Sequence, residues 1–251
     1  MTSPRQAPRS APRWRRFLRA RLERDSYLGL HLTAGLAVVA SGVWLFGGLL
    51  EEVLDSDALV RWDVATAGVM HSATTSRGIA VFAAITNLGS PLAMSALAVI
   101  GVMTTIALRQ RLLAAAWAAA AAGGALVDAV LKMTIHRTRP EFAAAFLHGS
   151  SYSFPSGHAM GSVIGYGFLA YAIVKTRQRR GWQRALAFAA ATLLALLIGV
   201  SRVYLGVHYP SDVAGGWAAG LAWLAVCVTG YEVGAGRATR RRSTLLQSGT
   251  P

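Results

Sequence analysis

Six apolar stretches constrain the fold before any motif is read. Residues 28–50, 81–107, 112–135, 157–174, 185–201 and 212–231 are long and hold few charged side chains. A hydrocarbon core takes about 20 residues per helix, and backbone polar groups inside it must be satisfied within the segment itself. The sequence therefore predicts an all-α, polytopic membrane helix bundle of about six transmembrane helices. Charged residues make up only 14% of the chain, against about 25% in soluble domains. The second stretch is interrupted by Asn87, Gly89, Ser90 and Pro91. A short outer helix ending near Ser90 and a span beginning at Pro91 is the alternative there.

Basic residues set the expected orientation, because Lys and Arg in tails and short loops stay on the cytoplasmic side. Nineteen of the 25 lie in the N-terminal tail, in loops 108–111 and 175–184, and in the C-terminal tail, so alternating spans place both termini in the cytoplasm. The others are Arg61, Arg77, Lys132, Arg137, Arg139 and Arg202. Four of them fall in or beside the two outer loops that hold the histidines, where basic residues are normally scarce.

The net charge of +14 does not point to nucleic acid, since no soluble region is left to present it. Polybasic tails beside a span meet anionic lipid head groups. Residues 1–26 read as a basic cytoplasmic tail, disordered or interfacial; residues 27–231 as one transmembrane domain; residues 232–251 as a second basic tail. The apolar run from Tyr27 to Leu50 is too long for a signal-peptide core and no small-x-small site follows it, so it reads as a retained span. Cys227, the only cysteine, has no partner for an internal disulfide.

Three stretches carry chemistry. In DAVLKMTIHRTRPEF (128–142), Lys132 precedes Arg139 by seven residues, two turns and one face if the helix continues, with Pro140 as its expected end. An ionisable group at membrane depth faces a polar interior and is a functional candidate; the plainer reading is a snorkelling lysine paired with Asp128 one turn earlier. In SYSFPSGHAM (151–160), Pro155, Ser156 and Gly157 have the composition of a helix start, where free backbone N–H groups attract anions. His158 then stands in the first turn. Gly161 and Gly165 are read as packing positions. In SRVYLGVHYPSDVAGG (201–216), Pro210 suits a first helical position, with His208 just outside and Asp212 in the first turn. A carboxylate one turn from an imidazole fixes its tautomer.

All three stretches emerge on the same outer face. Cations and free backbone amides converging on two histidines suit a phosphoryl group, whose transfer is catalysed largely by positioning and charge neutralisation. Of eleven carboxylates, Asp128, Glu141 and Asp212 are expected near the site, and they form no D-x-D or H-E-x-x-H grouping. No metal or other cofactor is implied.

These residues resemble a known family. Lys132, Arg139 and Pro140 match K-x6-R-P; Pro155 to His158 match P-S-G-H; Ser201, Arg202, His208 and Asp212 match S-R-x5-H-x3-D. These are the three signatures of the type 2 phosphatidic acid phosphatase (PAP2) superfamily, in the expected order and complete, and the resemblance covers roughly residues 80–231. It implies that His208 attacks phosphorus and becomes a phosphohistidine, with Asp212 orienting its ring. It implies that His158 protonates the leaving oxygen and then activates water, and that Lys132, Arg139, Arg202, Ser156 and the Gly157 amide hold the phosphoryl oxygens.

The expected function is a metal-independent, multi-pass lipid phosphatase of the cell membrane with its site on the extracytoplasmic side. Phosphatidate, phosphatidylglycerophosphate and undecaprenyl diphosphate are the candidate substrates. The Ala- and Arg-rich usage resembles that of a GC-rich bacterium, where recycling of the last would suit an outward-facing site. The alternatives are a lipid-binding or transport protein with a degenerate site, or an enzyme akin to the vanadium haloperoxidases, which carry the same motifs in soluble form. His31 and His71 read as structural or exposed, His136 and His148 as possible head-group contacts, and Asp128 as either a neighbour of the site or half of a structural pair. Residues 51–77, with Glu51, Glu52, Asp55 and Asp57, read as a solvated outer loop or a lid.

Overall fold

The computed structural model describes residues 27–140, 152–177 and 180–248. Eight helices lie among them: α1 Tyr27–Asp55, α2 Asp57–Ser72, α3 Ser76–Asn87, α4 Pro91–Ala107, α5 Arg111–Ile135, α6 Gly157–Arg177, α7 Gly181–Tyr204 and α8 Pro210–Ser248. Six segments are long and apolar enough to cross a membrane, one of them running from Ser76 to Ala107 through the α3–α4 break. The expected helical membrane bundle is what the chain forms. The expected N-terminal tail and His148 lie outside the described residues, and 232–248 prolongs the last helix.

Local chemistry accounts for the break. Ser90 accepts a hydrogen bond from the Ala93 N–H at 3.2 Å and Pro91 supplies the first helical residue of α4, an N-terminal arrangement that satisfies donors a helix would otherwise leave orphaned. The alternative reading of this stretch holds: a short helix capped by Thr75 ends at Asn87, and a second begins at Pro91.

Residues 51–77 are mostly helical, which corrects the expected loop: α1 continues to Asp55, and Ser56 caps α2 through the Leu59 N–H. Glu51, Glu52, Asp55 and Asp57 are exposed, as expected, but Asp63 in the same region is buried. No periodic pattern separated a short outer helix from a loop here.

Helix α6 packs against α4, α5, α7 and α8, around a core of Leu113, Trp117, Ala120, Met160, Ile164, Phe168, Ala172 and Ala219. Small residues permit the close approaches. A Cβ on Gly165 would lie 2.8 Å from the Met94 sulfur, which suits the packing position expected of it. One on Gly161 would meet Met94 Cγ at 3.5 Å, an ordinary contact that does not require glycine. The C-terminal ends of α5 and α7 and the N-terminal ends of α6 and α8 meet at one end of the bundle, with α2 and α3 beside them.

Candidate active site

Helix α5 delivers the first cation. Lys132 Nζ lies 2.8 Å from Asp128 Oδ2, one turn earlier. The helix stops at Ile135, where His136 takes a left-handed φ of 53°. Arg139 therefore does not share a helical face with Lys132, as the two-turn spacing suggested; it arrives from the irregular segment that follows the helix. That segment pairs with the approach to α6 through the Ser153 N–H donating to Arg137 O at 2.8 Å.

The start of α6 is held from below. The Ser156 N–H donates to Asp212 O at 2.9 Å. A Cβ on Gly157 would sit 2.9 Å from both Asp128 Oδ2 and Lys132 Nζ, so glycine lets this turn lie against the ion pair without shifting either side chain. Arg202, at the end of α7, donates through NH1 to Thr86 Oγ1 of α3 at 2.8 Å. Gly206, with φ 68°, then turns the chain so that the Val207 and His208 N–H groups both reach back to Arg202 O, a conformation that costs glycine least.

His208 is 2% exposed. Its Nδ1 faces Asp212 Oδ2 at 3.4 Å, and its Nε2 faces Arg139 NH1 at 3.1 Å. The carboxylate requires a proton on Nδ1 and the guanidinium requires a lone pair on Nε2, so both neighbours select the same neutral tautomer. Burial pushes the imidazole pKa down to about 4, against the opposing pull of Asp212 and with help from Arg139 and Arg202. Burial also lowers Arg139, with Asp212 and Asp128 opposing.

Asp212 is fully buried and heavily bonded. It accepts from Ser153 Oγ in a short contact, from the Tyr209 N–H at 2.8 Å and from Arg137 NH1 at 2.6 Å. Arg137 also reaches Ser211 Oγ at 2.7 Å and, through NH2, Asp63 Oδ2 at 2.7 Å, and lies over the Tyr209 ring. Asp63 in turn accepts from the Ser211 N–H and hydroxyl. Burial opposes the charge on Arg137, but Asp212 and Asp63 outweigh it and raise its pKa.

A cavity of about 610 Å³ opens from this centre. Lys132, Arg139, Gly157, His158, Arg202, His208 and Asp128 line its polar end. Further in, its walls are Met94 and Val99 of α4, Trp117, Ala121 and Ala125 of α5, and Ile164 and Gly165 of α6. Ser156 Oγ and Arg202 Nε are buried with no hydrogen-bond partner among the described residues. Buried donors of this kind are normally satisfied, and here both belong to the groups expected to hold an anion.

The structure thus gathers His208, His158, Asp212, Lys132, Arg139, Ser156, Gly157 and Arg202 at one place. His136 instead sits exposed against Tyr152, outside the cavity wall. Sequence reasoning missed Arg137, Ser153, Ser211, Thr86 and Asp63. The last corrects the expected set of nearby acids, of which Glu141 lies outside the described residues. One signal was present: Arg137 was one of four basic residues on the outer side, where such residues are normally scarce. Among the described residues no group of three or more His, Cys, Asp or Glu is placed to hold a metal ion.

The PAP2 superfamily model matches residues 111–233. The crystal structure of a transmembrane PAP2 type phosphatidylglycerolphosphate phosphatase from Bacillus subtilis superposes with a TM-score of 0.71 at 31% identity, covering 76% of this chain and 96% of that one. The chain belongs to the PAP2 superfamily. Among curated PAP2-like relatives, phosphatidylglycerophosphatase B of Bacillus subtilis is 43% identical over 107 residues, 43% of this chain and 52% of that protein. An undecaprenyl-diphosphatase of Sulfolobus acidocaldarius is 36% identical over 75 residues, 30% of this chain and 31% of that protein. The chain thus spans about half or less of the length of these curated relatives. The three PAP2 signatures supply the ends of α5, α6, α7 and α8 that meet at the cavity.

Proposed function

We propose that this PAP2 chain is a membrane lipid phosphatase that hydrolyses a lipid phosphate monoester or diphosphate through a phosphohistidine, without a metal, at the extracytoplasmic face of the cell membrane. The observation that carries the reading is His208, buried, with Asp212 on one ring nitrogen and the other aimed into a cavity lined by Lys132, Arg139 and Arg202. A neutral Nε2 lone pair is a nucleophile. It attacks phosphorus as the bond from phosphorus to the lipid oxygen breaks, and His158 gives that oxygen its proton. Water then attacks the phosphohistidine, His158 takes the water's proton, and the N–P bond breaks to release phosphate. The three cations and the unpartnered Ser156 hydroxyl and Arg202 Nε–H neutralise the equatorial oxygens throughout.

The apolar part of the cavity supports a lipid substrate. From Lys132 to Trp117 it follows α5 for roughly 22 Å, well into a hydrocarbon core about 30 Å thick. The orientation rests on charge: Arg111, Lys175, Arg177, Arg184 and Arg237 lie at the opposite end of the bundle from the cavity's polar mouth, which favours that end as cytoplasmic.

The test is phosphate release by the purified protein in detergent with excess EDTA, from phosphatidate, phosphatidylglycerophosphate and undecaprenyl diphosphate. Release that survives EDTA and vanishes in His208→Ala is expected. Release that needs added metal, or that persists in the variant, would refute the mechanism.

A further inference from the structure

The phosphate-holding side chains account for every charged residue of the cavity wall except one. Asp128 is an anion placed where an anion is to bind. It lies one turn inward of Lys132 on α5, and beyond it the α5 wall consists only of Ala, Gly and Trp117. It therefore marks the junction between the cationic end and the apolar slot. A lipid whose phosphoryl group meets His208 and whose chains occupy the slot must thread the atoms between them past this carboxylate.

Asp128 is only partly compensated. Its side chain is 22% exposed; Oδ2 takes one hydrogen bond, from Lys132, while Oδ1 is buried with no partner among the described residues. The cavity wall holds three cations, Lys132, Arg139 and Arg202, against this one carboxylate, which leaves two net positive charges. A phosphate monoester carries roughly −1.5 to −2 near neutral pH and matches that balance. A diphosphate carries more charge, and its second phosphoryl, the one joined to the lipid, falls at the junction beside Asp128. Like charges a few ångströms apart in a partly wet site shift an equilibrium by about tenfold.

Resting on the phosphatase reading above, we propose that Asp128 is a specificity-determining residue that selects lipid phosphate monoesters over lipid diphosphates by repelling a second phosphoryl group at the junction. The ion pair with Lys132 is the means: it keeps the carboxylate in place and cancels a cation that a diphosphate would otherwise use. Asp128→Asn preserves shape and removes the charge, which leaves three cations for the more highly charged ligand.

The experiment compares a prenyl monophosphate with the diphosphate of the same prenyl chain, using the full-length protein in detergent. The ratio of kcat/KM for the two is read in wild type, Asp128→Asn and Asp128→Glu. Wild type is expected to favour the monophosphate, Asp128→Asn to move the ratio toward the diphosphate by about tenfold, and Asp128→Glu to keep the wild-type preference. A purely structural ion pair would lower both rates and leave the ratio alone, and an unchanged ratio in Asp128→Asn overturns the proposal. A measurement on wild type guards against a variant that does not fold: inorganic phosphate should bind about tenfold more tightly than methylenediphosphonate, and equal or tighter binding of the diphosphonate overturns the proposal. Release from neither lipid refutes the phosphatase reading instead, and the two inhibitor affinities, read by thermal shift, then decide the role of Asp128 on their own.

Discussion

Replacing Arg137 should separate folding from chemistry in a way that tests the buried network directly. Its guanidinium lies 2.6 Å from Asp212 and 2.7 Å from Asp63, and both carboxylates are 0% exposed. Arg137→Ala leaves two buried anions facing the space where their shared cation stood. Breaking a buried pair by removing one partner costs about 3–5 kcal/mol. At about 2–4 °C per kcal/mol for a chain of this size, thermal unfolding in detergent should begin roughly 10 °C lower. Asp212 also loses the bond that fixes Oδ1, and a displacement near 1 Å at an oriented catalytic group costs about a hundredfold in rate. Because Arg137 does not line the cavity, the loss should fall on kcat, with KM changed by less than about threefold. Adding Asp63→Asn removes one of the stranded charges and should restore much of the thermal stability without restoring kcat. The pair of measurements is a double-mutant cycle. Wild-type kcat in Arg137→Ala, or recovery of kcat by Asp63→Asn, would show that the network does not position Asp212.

Two further outcomes follow. His208, whose pKa burial draws down to about 4, should keep a neutral imidazole NMR signal as pH falls from 7 to 5 and lose it only near 4, identified by its absence in His208→Ala; titration at or above 6.5 would contradict the burial argument. A group whose folded pKa lies below its unfolded one destabilises the fold on acidification, so His208 should make wild type lose stability between pH 6.5 and 4 more steeply than His208→Ala does. Gly216→Ala would place a Cβ 2.6 Å from Ser156 O, a backbone atom that cannot swing aside. Overpacking of this kind costs about 1–3 kcal/mol, and the displaced P-S-G-H turn should lower kcat/KM by at least about tenfold; wild-type activity in Gly216→Ala would show that the turn tolerates movement.

What was legible in the chain was local. Hydropathy acts over the length of one span, so the membrane helices could be read from composition alone. The reactive residues sit within short windows, two of them opened by Pro155 and Pro210 at the starts of α6 and α8, whereas Pro140, the expected end of α5, stands five residues beyond Ile135, where that helix stops. Arg139 shows where local reading fails. Its spacing from Lys132 suited a continuing helix, yet His136 turns the chain left-handed without a glycine to announce it. Asp63 and Thr86 were invisible for a different reason. Their partners Arg137, Ser211 and Arg202 lie 74, 148 and 116 residues away, and no pattern in α2 or α3 says which distant donor will arrive. The Glu51 to Asp57 acids were legible as solvated but not as helical, because exposure follows from charge while a short outer helix has too little periodicity to declare itself.

The tether of Arg202 to Thr86 and of Arg137 to Asp63 has a consequence for how such a site can be transplanted. Residues 111–233, the stretch that matches the superfamily, hold every charged side chain and both histidines at the cavity's polar end. Thr86, which accepts from Arg202, and Asp63, which shares Arg137 with Asp212 and Ser211, come from α3 and α2, outside that stretch. Grafting 111–233 onto foreign outer helices would transfer all the reactive groups, leave Arg202 NH1 without Thr86, and leave Arg137 with Asp212 and Ser211 but without Asp63. A change in α2 or α3 can thus retune the reach of an arginine while every signature residue stays as it is.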